Sequence, residues 1–116
     1  MFSQNIQKIL PQAVNFFSTQ PVIRRAWIFG SCATGSENVH SDVDVLVDYD
    51  RSHRISMLTL GGIIRNLEMI FNRKIDLVEN GYLIPEAQES ANHEKILIYE
   101  RKKFVINNVL SIYSVH

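Results

Sequence analysis

Residues 30–44 read GSCATGSENVHSDVD. An apolar run, residues 22–29 (VIRRAWIF), leads into Gly30-Ser31, and ten residues later a second run opens with Asp42, Val43 and Asp44 and continues as VLVDY. Gly-Ser and D-x-D are each ordinary alone. Taking about 7% for Gly and roughly 5% for each of the other three fixed residues, the combined spacing arises by chance in about one chain in a thousand of this length. Both halves also sit on strand-like runs, which removes most remaining accidents.

On a strand, residues two apart share a face, so Asp42 and Asp44 are expected to project together with Cα atoms roughly 7 Å apart. Two carboxylates at that spacing repel by about 2 kcal/mol at an effective dielectric near 20. The pattern therefore makes sense around a cation, and an all-oxygen donor set favours Mg²⁺ or Mn²⁺ over zinc. Residues 73–80 (RKIDLVEN) read as a third strand, with Ile75, Leu77 and Glu79 on one face and Asp76 and Val78 on the other. If that strand pairs beside the second, Asp76 adds a third carboxylate, and Asp42, Asp44 and Asp76 become candidate ligands of two metal ions. Gly30 lets the backbone approach a triphosphate, and Ser31 with the amides of a short helical turn offers donors to its oxygens.

The remaining segments frame this centre. Ile6, Ile9, Leu10, Ala13, Val14 and Phe17 keep helical spacing behind a possible Ser3 cap, with Pro11 as a potential kink. Apolar positions from Ile55 to Phe71 predict a second helix, in which Gly61-Gly62 suggests close packing on a sheet. Residues 85–100 (PEAQESANHEKILIYE) predict a third helix starting at Pro85, and the aperiodic apolar tail is assigned as helix. The order helix, strand, strand, helix, strand, helix implies an α/β or α+β fold, a small mixed sheet with helices packed on it.

The 116 residues amount to one domain. Residues 104–116 are set apart as a C-terminal tail able to dock on a partner. Twelve basic and twelve acidic side chains cancel, so stable nucleic-acid binding is not expected. The single cysteine, Cys32, forms no internal disulfide, and no stretch reads as a signal peptide or membrane span, so the expected location is cytoplasmic, with no membrane partner.

G-S-x10-D-x-D between two strands, followed by Lys74-Ile75-Asp76-Leu77-Val78 on a third, resembles the minimal nucleotidyltransferases of the DNA polymerase β-like superfamily. The resemblance runs from Trp27-Ile28-Phe29-Gly30-Ser31 through Leu60-Gly61-Gly62 to Ile98-Tyr99-Glu100. It implies the polymerase β palm-like fold and an antitoxin that transfers AMP from ATP, with two Mg²⁺ ions, to a tyrosine of a HEPN ribonuclease toxin in a hetero-oligomer. By that resemblance Asp42 and Asp44 bind both metals, Asp76 binds the second and helps activate the tyrosine hydroxyl, and Gly30 and Ser31 hold the triphosphate. Members commonly carry arginine directly after Gly-Ser and again two residues on; Cys32 and Thr34 stand there in this chain. Arg24, Arg25, Arg73 and Lys74 are the cations available to replace them.

Three other functions compete. An antitoxin acting by binding alone would keep the fold without the chemistry. A nucleotidyltransferase of the aminoglycoside-modifying kind would need an added acceptor-binding domain, and RNA polymerisation would need a basic stripe. Among single residues, Cys32 reads as a passive small residue, and His40, His53, His93 and His116 as solvated. Asp48 reads as a solvated strand-end acid, Arg101-Lys102-Lys103 as a solvated helix end, and Tyr99 as packed.

Overall fold

The computed structural model describes residues 2–35, 40–106 and 109–115, with side chains through Arg101. His116 and the centre of the polar loop after Gly35 lie outside the described residues. Helix α1 (Gln4–Ser18) starts where Ser3 accepts from the Ile6 amide at 3.2 Å, as its sequence predicts, and runs on through Pro11. Strand β1 (Ile23–Phe29) follows, then the single turn α2 (Ser31–Thr34), strand β2 (Val43–Tyr49), helix α3 (Met57–Phe71) and strand β3 (Ile75–Glu79). Helix α4 (Pro85–Glu94), strand β4 (Ile96–Glu100) and a hairpin of β5 (Lys102–Ile106) and β6 (Val109–Val115) complete the chain.

Four strands form one mixed sheet in the order β3-β2-β1-β4, and β5 and β6 form a separate two-stranded sheet. Strand β1 is antiparallel to both neighbours, whereas β2 and β3 are parallel, the crossover being α3. Val43, Val45 and Val47 of β2 and Ala26 and Ile28 of β1 are buried with Ile6, Ala13 and Phe17 of α1 and Ile63, Leu67 and Phe71 of α3. The two long helices thus cover one face of the sheet. Ile23 and Ala26, three apart, both reach that core because β1 bulges against β2 between Ile23 and Arg25. Everything polar that alternates with the valines is left on the opposite face.

Four expectations are corrected. Residues 96–100 are a strand, not the end of a helix: Lys95 turns extended (φ −65°, ψ 140°), and Ile-Leu-Ile-Tyr then pairs along the free edge of β1. The tail is a β-hairpin in place of the assigned helix. Gly61 and Gly62 are exposed, and a Cβ added at either meets nothing within 4 Å, so they mark no close approach to the sheet. Arg101 is buried rather than solvated. It donates to Asp50 Oδ2 at 2.7 Å, to the Ile23 carbonyl at 2.9 Å and to the Pro21 carbonyl, so one guanidinium fastens the start of β1 and the end of β2 to the exit of β4. Tyr99 packs as expected, its ring stacked 5.8 Å from Phe17.

Candidate active site

The polar face acquires its chemistry from strand register. Asp44 is the Cα partner of Asp76 on parallel β3 and of Phe29 on antiparallel β1. Partners in register point to the same side, so Asp44 and Asp76 stand together on the face away from the core. Burial first, then the charge and hydrogen bonding of Asp76, then the charge of Asp42, push the Asp44 carboxyl up to about 6. Such a shift marks a carboxyl partly withdrawn from water and crowded by like charge.

Asp42 lies just ahead of β2, exposed, and reaches Asp44 through its charge. The strand therefore begins one residue later than the sequence suggests. Among the described residues no group of three His, Cys, Asp or Glu side chains is arranged to hold a metal ion. The close pair is Asp44 and Asp76, with Asp42 to one side. Mg²⁺ is ordinarily bound by one or two carboxylates, with substrate phosphates and water completing an octahedron. The hard oxygen donors and the raised Asp44 pKa suit that ion; a soft thiolate or imidazole set is not what the face offers.

Gly30 closes the site from the β1 side. Its backbone (φ 71°, ψ −151°) occupies a region essentially reserved for glycine, and a Cβ built there would collide with Asp44 Oδ2. The bend and the carboxylate thus touch, which is why the ten-residue spacing brings Gly-Ser and D-x-D side by side. Ser31 opens α2, with Ala33 and Thr34 both donating to the Gly30 carbonyl at 3.1 Å. At the first helical position the Ser31 amide has no carbonyl one turn back to bond.

Cys32 is fully buried under this turn. Its thiol donates to the Asp42 carbonyl at 3.6 Å, and Arg73 Nη1 approaches its sulfur at 3.8 Å. The thiol thereby joins the Gly-Ser turn to the backbone of the first acid. Of the four cations weighed as replacements for the arginines after Gly-Ser, Arg73 is shown reaching the turn. Arg25 is engaged at the other end of the sheet, 2.7 Å from Glu100 and 3.3 Å from Asp48. Lys74 is exposed, and Arg24 sits on the bulge of β1.

Sequence reasoning missed the polar network that seats α4 near this face. Asn80 donates to Asp48 Oδ1 at 3.3 Å and accepts from Gln88 at 3.2 Å and Lys95 at 3.4 Å. Lys95 also lies 4.7 Å over the Trp27 ring. Asp48 is thus a half-buried, partnered acid and not a solvated one. Trp27 on the polar face was the available signal, since a large aromatic there needs a cover.

Comparison with known proteins agrees with this geometry. The polymerase beta nucleotidyltransferase family matches residues 11–104. A candidate protein adenylyltransferase of Methanocaldococcus jannaschii is 29% identical over 73 residues, 63% of this chain and 73% of that protein. A solved structure of a candidate minimal nucleotidyltransferase superimposes with a TM-score of 0.66 at 23% identity, over 83% of this chain and 95% of that one. A chain from the complex of a tri-AMPylated Shewanella oneidensis HEPN toxin with an MNT antitoxin gives 0.60 at 13% identity, over 81% of this chain and 71% of that one. At such identities the two structures speak for the fold alone. No helix among the described residues is long and apolar enough to cross a membrane. With the sheet order, the acids in register and the sequence match all in agreement, the chain belongs to the polymerase beta nucleotidyltransferase family.

Proposed function

We propose that this chain is a Mg²⁺-dependent nucleotidyltransferase that moves AMP from ATP to a tyrosine hydroxyl of a HEPN toxin, acting as that toxin's antitoxin. The observation that carries the reading is Asp44 in register with Asp76 and in contact distance of the Gly30 bend. The adenylyltransferase relative and the toxin–antitoxin neighbour support the choice of acceptor.

In this reading the Ser31 hydroxyl and amide hold the terminal phosphates, and the missing Cβ of Gly30 leaves them room beside Asp44. Asp44 and Asp76, with Asp42 alongside, hold the metal ions. Bound Mg²⁺ supplies screening of the crowded carboxylates and withdraws charge from the α-phosphate. Asp76, exposed on the edge strand, orients the incoming hydroxyl and takes its proton. The phenolic oxygen forms a bond to the α-phosphorus, the bond from that phosphorus to the bridging oxygen breaks, and pyrophosphate leaves with the electron pair.

Labelled ATP, Mg²⁺ and a HEPN toxin test the reading: label is expected on the toxin and is expected to vanish with Asp44→Asn. Undiminished transfer by that variant would exclude the site. Cys32 and Thr34, in place of side-chain cations after Gly-Ser, favour a second reading in which masking of the toxin suffices. On that reading the double variant Asp42→Asn, Asp44→Asn still protects cells.

A further inference from the structure

Strand β3 is an edge of the sheet, and among the described residues no strand lies beyond it. Its ladder to β2 is bracketed by Val43 N donating to the Lys74 carbonyl and Asn80 N to the Val47 carbonyl, both at 2.9 Å. In a parallel ladder alternate residues turn both backbone groups to the neighbour. With Val43 opposite Ile75 and Val45 opposite Leu77, Asp76 and Val78 face β2, and Ile75, Leu77 and Glu79 turn outward. Two side interactions agree: the Ile75 amide donates to Glu68 Oε2 at 3.4 Å, and the Glu79 carbonyl accepts from Tyr82 at 3.2 Å. The Leu77 amide and carbonyl remain at the middle of the edge, directly outside Asp76.

We propose that this edge of β3 is where an extended segment of the acceptor protein docks, adding as a fifth strand that delivers its hydroxyl to Asp76. The inference rests on the transfer reading above and names how the acceptor is held. An added strand lies about 4.8 Å away, and its residue opposite Asp76 points to the same face with Cβ atoms about 5 Å apart. A tyrosine there stands beside Asp76 with Asp44 one strand further in. The next residues of the segment point to the other face, over the half-buried Leu77. Tyr82 and Ile84, 76% and 68% exposed just beyond the strand, offer an apolar anchor for its continuation.

Hydrogen exchange on a reconstituted complex with a HEPN toxin tests the docking line. The Leu77 amide should exchange at least tenfold more slowly in the complex than in the chain alone. Leu77→Pro removes the outward donor and leaves the β2 ladder intact, because proline is tolerated on sheet edges. That variant should keep the thermal shift given by Mn²⁺ with ATP and lose at least tenfold in label transfer. An unprotected Leu77 amide in the complex, or full transfer by a folded Leu77→Pro, overturns the proposal. Protection that grows with chain concentration in the absence of the HEPN protein assigns the edge to a second copy and overturns it too. If the wild-type chain transfers no label, the transfer reading fails on its own, and the exchange result still decides the edge.

Discussion

Asp44 and Asp76 stand opposite each other on parallel strands, and burial first, then the charge of Asp76, raises the pKa of Asp44. Two like charges side by side weaken a fold unless something binds between them. Without a bound cation, an ionised Asp44 costs the fold stability.

Asp44→Asn should expose that cost. The Asp44 carboxyl titrates near 6 in the folded chain and near 4 when unfolded. Between those values the native state binds more protons, so the contribution of this group to stability falls as pH rises through the window and stays low above it. The asparagine variant should show a shallower decline from pH 4 to 6 and should be at least as stable as wild type at pH 7.5. Urea unfolding across that range measures it; a variant clearly less stable at neutral pH would assign Asp44 a structural role. Mn²⁺ with ATP should raise the wild-type melting temperature and leave the variant unmoved.

Gly30→Ala addresses the contact between bend and carboxylate. The positive φ alone costs an alanine roughly 1–3 kcal/mol, and its methyl must displace Asp44 Oδ2. Stability should fall by about that amount, measured by urea titration. Nucleotide-induced stabilisation should be lost as well, since the carboxylate is forced out of its place beside the bend. Gly81→Ala is the control: φ is also positive (93°), but nothing lies within 4 Å of the added carbon, so it should cost stability without touching the nucleotide response.

The core of this site was legible because acids inside apolar strands break a simple alternation. Period two placed Asp42 and Asp44 on a shared face, Asp76 joined them on the condition that its strand paired beside theirs, and Gly30 before a polar turn signalled the bend. Strand β4 was not legible: Lys95 to Glu100 continues a helical stretch with no Gly or Pro to stop it, and only the open edge of β1 makes it extended. Gly61-Gly62 misled in the opposite way, since local composition does not say which side of α3 faces the sheet. Arg101 and Asp48 read as surface charges because their partners lie 51 and 23 residues away along the chain. Long-range pairing of that kind leaves no local spacing to read.

Arg101 is expected to matter more to the fold than any other charge described. Arg101→Met leaves Asp50 without its guanidinium and two carbonyls without their donor, and breaking a buried ion pair typically costs about 3 kcal/mol or more. Hydrogen bonds from Ser52, then from Arg101, hold the Asp50 carboxyl well below the usual carboxylate range. Its stabilisation is thus complete above the unfolded value near 4 and is lost as pH falls below it. Wild type should weaken steeply on that acid side and the variant less so, which urea midpoints at pH 3 to 5 would display. Equal slopes would remove Arg101 from the account.

Arg73 separates nucleotide binding from the carboxylates. Its guanidinium meets the sulfur of Cys32, the residue directly after Ser31, and so brings positive charge to a turn that has none of its own. Loss of a charge-assisted contact is worth roughly 1.5–3 kcal/mol, so Arg73→Ala should weaken ATP binding by at least about tenfold. The maximal transfer rate should change far less, because the carboxylates stay in register. Arg25→Ala, which releases Glu100 and Asp48 at the far end of the sheet, should leave ATP affinity as it is. Titration calorimetry with ATP and Mn²⁺ at low and high salt gives the comparison: the Arg73 effect should shrink as salt rises, and equal affinity for the two arginine variants would take Arg73 away from the phosphates.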